Sequence, residues 1–123
     1  VARFLTPLGI DQVSEAHETG NGRPLMRLHA PLLYESDLLG YIVTVPEGFE
    51  TDLASVPRIP LAWWLTGGHG NRAAVVHDYL LGRPGLTRRT CDRVFREALV
   101  ASGAPAWRTW LMYAGVRIGA LWS

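Results

Sequence analysis

The sequence predicts an α+β domain, a small antiparallel sheet in the N-terminal half packed by about three helices in the C-terminal half. Three observations predict it. Residues 25–45 contain short runs of alternating or β-branched apolar residues bounded by turn formers. Residues 71–121 contain apolar patterns at helical spacing, interrupted by Gly- and Pro-containing breaks. The chain has 123 residues, 48% hydrophobic and 19% charged, which is enough for one domain with its own core and excludes wholesale disorder.

In order along the chain, residues 1–24 read as an irregular arm, because Thr6-Pro7, Gly9 and Gly20-Asn21-Gly22-Arg23-Pro24 are all turn signals. Residues 25–60 read as strands and turns. Leu25 to Tyr34 alternates in part, through Leu28, Ala30 and Leu32, and Pro31 within it predicts an edge strand or a bulge. Glu35-Ser36-Asp37 reads as a turn. Leu39 to Val45 is the clearest strand, Glu47-Gly48 is another turn, and the pair of strands reads as a hairpin or the start of a small antiparallel sheet. Pro57, Pro60 and Trp63-Trp64 mark an irregular, aromatic-rich segment with one short helix. Its tryptophans read as core or as an interaction surface.

From residue 61 onward the chain reads as mainly helical. Asn71 is a good N-cap for a helix from Arg72 to about Leu81, ended by Gly82-Arg83-Pro84-Gly85. Thr87 can cap a second helix whose inner face carries Cys91, Phe95, Ala98, Leu99 and Ser102, and Gly103 closes it. Pro105 can open a third, to about Leu121, with Trp107, Trp110, Leu111, Ala114 and Ile118 as its apolar stripe. There is no internal repeat and no low-complexity tract.

A net charge of +1 gives no global attraction to nucleic acid or anionic membrane. All 12 basic residues are Arg, a skew that fits a GC-rich genome and favours planar, bidentate anion contacts. Arg83, Arg88, Arg89, Arg93 and Arg96 make one side of the interhelix region basic, read as a solvated face or as a contact for phosphate or an acidic partner. The single Cys91 excludes an intramolecular disulfide and a Cys-based zinc site, which fits a reducing compartment. No basic segment followed by an apolar run marks a signal peptide. The apolar stretch from Trp107 to Trp122 is broken by Arg108 and Arg117 and is short for a bilayer span. His17, His29 and His69 lack ligand spacing, against a zinc site.

The chemistry-bearing residues gather in two stretches. His77 lies in the apolar run Ala73-Ala74-Val75-Val76-His77-Asp78-Tyr79-Leu80, on a face with Ala73, Ala74 and Leu81, so its ring points inward. A short linker makes the first two helices antiparallel neighbours, which sets Asp92 against one imidazole nitrogen. A carboxylate there fixes the tautomer and leaves the other nitrogen as a base or ligand. Asp78, about 100° around the helix, points toward solvent or the Gly67–Gly70 loop. A purely structural reading stands beside this one: a hydrogen-bonded core histidine, with Asp92 pairing Arg58 or Arg96, and Asp78 pairing Arg72, Arg88 or Arg89. In Thr51-Asp52-Leu53-Ala54-Ser55-Val56-Pro57, Asp52 and Ser55 have the spacing of a turn held by side-chain bonds, with Pro57 forcing an extended exit. The functional reading adds Asp52 as a further acid and Ser55 as a hydroxyl beside His77. The absence of G-x-S-x-G argues against a serine nucleophile.

Phe49-x-Thr51-Asp52-x-Ala54-Ser55-Val56-Pro57, a Trp-containing segment, the His77-Asp78 run and Arg89-x-x-Asp92-x-x-Phe95 together resemble a family of small proteins encoded by phages and prophages, known as domain of unknown function 1353. The resemblance covers roughly residues 45–122. Where the family often ends its His-Asp motif in Tyr, this chain has Leu81. The resemblance implies phage origin and supplies no reaction. A weaker similarity, of chemistry alone, is to secreted phospholipases A2. It implies His77 as base, Asp92 as its orienting partner and Asp78 as a ligand of a divalent cation such as calcium, with carbonyls of Gly67, Gly68 and Gly70. The cysteines and the glycine-loop pattern of those enzymes are missing here.

Two expectations follow. The first is a virion-associated structural or assembly component of the tail or baseplate, with other phage structural proteins as partners, no nucleic acid, no transmembrane segment and self-association left open. The second is a small metal-assisted or His general-base hydrolase acting on lipid or peptidoglycan of the host envelope. Either places the chain in the virion or the host cytoplasm.

Overall fold

In a computed structural model of the chain, residues 1–14, 25–51 and 71–122 are described. They form an α+β fold of six short strands followed by three helices: β1 (Arg3–Phe4), β2 (Ile10–Ser14), β3 (Leu25–Leu28), β4 (Leu32–Ser36), β5 (Tyr41–Val45), β6 (Glu50–Thr51), α1 (Asn71–Leu81), α2 (Arg88–Ala101) and α3 (Ala106–Trp122). The strands make two three-stranded antiparallel sheets, ordered β1-β4-β5 and β2-β3-β6.

Two strand expectations are corrected. The N-terminal arm is not wholly irregular, since β1 and β2 are both paired. Arg3 faces Glu35 and Phe4 faces Tyr34, with an Arg3–Glu35 ion pair at 3.3 Å and the two rings 4.6 Å apart. In β2, Ile10 faces Leu28, and the pairing is bulged between Gln12 and Ser14. Leu25 to Tyr34 is two strands rather than one. Pro31, which has no N–H to donate, lies in the break between β3 and β4, where the chain crosses from one sheet to the other. The turn expected at residues 35–37 starts later, because Glu35 and Ser36 still pair with Ile42 and Tyr41. Residues 37–40 then reverse the chain, with Gly40 at φ 77°. The β4–β5 hairpin and the Glu47-Gly48 turn are as expected.

The core is one cluster of Leu28, Leu32, Tyr34, Val43 and Val45 from the strands with buried residues of all three helices. Helix α1 is buried on nearly every side, Ala73 through His77 without interruption. Helix α2 packs against both neighbouring helices and against β1 and β4. Its ends follow the sequence signals: Thr87 Oγ1 accepts from Thr90 N–H at 3.1 Å, and Gly103 follows the last turn at φ 86°.

Helix α3 overturns the stripe assigned to it. Among its described side chains the buried ones are Thr109, Met112 and Val116, whereas Trp107, Trp110, Leu111, Ala114 and Ile118 face outward. The helix is apolar almost all round, so periodicity could not say which side the core takes. No helix among the described residues is long and apolar enough to cross a membrane.

Candidate functional site

His77 and Asp92 meet in the helical layer, each with a side chain 0% exposed. The antiparallel α1–α2 pair brings them together as its spacing requires: His77 Nε2–H donates to Asp92 Oδ1 at 2.6 Å. The direction of that bond sets the tautomer, because a carboxylate only accepts. One face of the imidazole lies against Phe95, ring centroids 4.8 Å apart. The ring is thus clamped between a carboxylate and an aromatic neighbour, both from α2.

The second oxygen of Asp92 is also occupied. Arg117, from α3, donates through Nη1 to Oδ2 at 2.9 Å, and Arg88, one turn before Asp92 on α2, places Nε 3.7 Å from Oδ1. Asp92 therefore ties all three helices through one buried carboxylate. The partners expected for it were Arg58 or Arg96. Arg58 lies outside the described residues, and Arg96 instead lies over the rings of Trp110 and Tyr113 at 4.7 and 5.4 Å. Arg117 was missed as a partner. Its signal was a guanidinium adjacent to the buried stripe of an otherwise apolar helix, but nothing in sequence says that such an arginine reaches a carboxylate 25 residues away.

Asp78 belongs to a different contact. Thr51 Oγ1 donates a short hydrogen bond to Asp78 Oδ2, which joins the end of β6 to α1. Beside it Phe49 meets Tyr79 edge to face at 5.4 Å. These two contacts explain part of the paired sequence motifs: the start of the Phe49–Pro57 stretch is docked on the residues that follow His77. Asp78 points toward β6, a third direction beside the two considered for it. Asp52, Ser55 and the carbonyls of Gly67, Gly68 and Gly70 lie outside the described residues. Among the described residues, no group of three or more His, Cys, Asp and Glu side chains could hold a metal ion.

A second polar cluster went unnoticed in the sequence. Glu97, on α2, accepts from Tyr34 Oη at 2.6 Å and Ser36 Oγ at 2.8 Å through Oε1, and from Leu38 N–H at 2.9 Å through Oε2. Burial, and then the adjacent Glu97, push the Tyr34 phenol well above its ordinary pKa. Burial, reinforced by the charge of Asp92, likewise pushes the Cys91 thiol up.

In chemical terms, the His77–Asp92 pair has the orientation of a general base held by its carboxylate, but with the ring enclosed. The more direct capacity of the cluster is mechanical: one carboxylate, accepting from an imidazole and a guanidinium with a second guanidinium beside it, fixes the rotation of three helices about one another.

No curated protein and no solved structure matches the chain. Residues 26–116 match the family model described as a protein of unknown function, DUF1353, a span that takes in β3 to β6, α1, α2 and most of α3. That match covers well over half of the sequence and includes His77, Asp78, Asp92 and Thr51, so the chain belongs to the DUF1353 family.

Proposed function

We propose that this protein is a small structural or assembly component of a phage particle, of the tail or baseplate, and that the His77–Asp92–Arg117 cluster is its internal brace. The observation that carries the reading is the enclosure of His77 and Asp92, both 0% exposed, with Asp92 shared among three helices. A general base must reach the proton it abstracts, directly or through one water. A ring packed on Phe95 and bonded to Asp92 within the core is better placed to hold helices than to meet a lipid or peptidoglycan substrate. The phage setting rests on the family resemblance read from the sequence.

Two measurements test the proposal. Mass spectrometry of purified particles, induced from cells that carry the coding sequence, should find the protein at a fixed copy number. His77→Ala should lower the stability of the isolated chain by about 3 kcal/mol in urea unfolding, since it leaves a cavity and unpairs a buried carboxylate oxygen. A His77→Ala protein as stable as wild type, in particles that assemble but do not infect, would instead assign His77 to catalysis and sink the structural reading.

A further inference from the structure

Among the described strands, three of the four sheet edges are blunted. Strands β1 and β6 are two residues long, and β2 is bulged and carries Asp11, paired with His29. Strand β5 differs: its five residues pair with β4 without a register shift, and none is charged, Pro or Gly. An edge of that kind is a template for one more strand. The hydrogen bonds tell which groups it offers. In β4, Leu33 turns toward β1, since its carbonyl accepts from Leu5 N–H at 2.9 Å and its N–H donates to Thr6 Oγ1 at 3.0 Å. Bonding direction alternates along a strand, so Leu32, Tyr34 and Ser36 bond to β5, through Val45, Val43 and Tyr41. The N–H and C=O groups of Ile42 and Thr44 therefore point away from β4, and no described residue takes them up.

Beside this edge a cavity of about 360 Å³ lies between β5 and the end of α1. Tyr79, Leu80 and Leu86 give it apolar walls, and Arg83 is the one charged residue that lines it. The guanidinium rests over the Tyr79 ring at 5.4 Å, and no carboxylate among the described residues pairs with it. Val43 is buried on the side of the sheet where α1 packs. A strand added at β5 turns every second side chain to that side, toward the cavity. The walls suit an apolar side chain there, and Arg83 suits a carboxylate, which its planar fork can bind through two bonds. A second copy is a poor occupant, because joining two β5 edges brings two Arg83 side chains to one groove and supplies no carboxylate. We infer that β5 and the adjoining end of α1 bind an extended segment of another protein. The segment adds as a strand at Ile42 and Thr44 and turns apolar residues and an Asp or Glu toward Arg83. This inference does not depend on the role proposed for His77.

A library of random linear peptides displayed on yeast, sorted against the purified protein, should yield alternating apolar residues with a shared Asp or Glu. Sorted against Arg83→Glu, the library should yield Lys or Arg at that place. The acidic peptides should bind this variant about tenfold more weakly or worse. Added to the isotope-labelled wild type, the best acidic peptide should slow amide exchange at Ile42 and Thr44 by about tenfold or more. Tyr41 and Val43, already bonded to β4, should change little. Ile42→Pro removes one outward donor without touching the β4 ladder, and should abolish binding with an unchanged circular dichroism spectrum. The exchange measurement uses the unaltered chain, so it decides the matter even where Ile42→Pro perturbs the fold. A library that enriches nothing, peptides indifferent to Arg83→Glu, or binding without protection at Ile42 and Thr44 would each overturn the inference. So would protection of those two amides that rises with protein concentration alone, which would give the edge to a second copy.

Discussion

Asp92 and Glu97 stand five residues apart on α2, each held by three neighbours, yet they work in different surroundings. Asp92 is sealed among helices, and two of its three neighbours are guanidinium groups. Glu97 lies about 140° further around the helix, where the sheet meets it, partly buried and bonded only to a phenol, a hydroxyl and a backbone N–H. One helix thus uses two carboxylates for its two attachments, an ionic brace toward α1 and α3 and a neutral-donor clamp toward β4 and the turn after it. Their difference is instructive about cost. Burying the ions around Asp92 is expensive, so the brace holds only while every partner is present, whereas water near Glu97 can replace part of what is lost.

Substitutions on α2 should expose that difference. Asp92→Ala strands Arg117 and the His77 Nε2–H without their acceptor, and should cost about 3–5 kcal/mol in urea unfolding. Glu97→Ala leaves Tyr34, Ser36 and Leu38 N–H to find water, and should cost about 1.5–3 kcal/mol. If the two substitutions prove equally damaging, the contrast between sealed and partly wetted carboxylates fails.

Alkaline titration sharpens the Glu97 side. The chain has no Lys, so the phenols and Cys91 are the side chains that titrate in this range. A Tyr34 phenol raised in the folded state contributes stability that is complete below the ordinary phenol value of about 10 and is lost as pH rises beyond it. The melting temperature should therefore fall above about pH 10, with the ionisation absorbance of Tyr34 appearing only with unfolding. Removal of the negative charge by Glu97→Gln should flatten that fall. An unchanged slope would mean that the carboxylate is not what Tyr34 senses.

The smallest effect is expected beside Asp92. Cys91 is buried and its thiol is raised, so iodoacetamide should label it only as fast as the protein opens. Labelling of Cys91 should accelerate in Asp92→Ala and much less in Glu97→Ala. Rapid labelling of the folded wild type would contradict the burial of this face of α2.

Much of this arrangement was legible in the residues. Thr87 and Gly103 marked the ends of α2 because capping is local chemistry, and the short Gly82–Thr87 link made α1 and α2 antiparallel, which put Asp92 on His77. The failures have physical causes too. Strand β1 is two residues long and exists only because residues some thirty positions later pair with it, a contact that no local pattern encodes. Arg117 was read only as an interruption of an apolar run, since its acceptor is on another helix. Nothing local marks Glu97, because its three donors come from β4 and the turn after it, about sixty residues earlier.

The sequence by itself determined what depends on near neighbours: the α+β order, the helix ends, the β4–β5 hairpin, the inward turn of His77 and the paired motifs of the family. The tertiary structure decided what depends on distant ones. It divided the strands between two sheets at Pro31, docked Thr51 on Asp78, recruited Arg117 to Asp92, and chose the Met112–Val116 side of α3 for the core. That last choice has the clearest reason. Both sides of α3 are apolar, so its own residues permit either orientation, and packing on α2, with the Arg117–Asp92 contact, takes the Met112–Val116 side and leaves Trp107 and Trp110 outside.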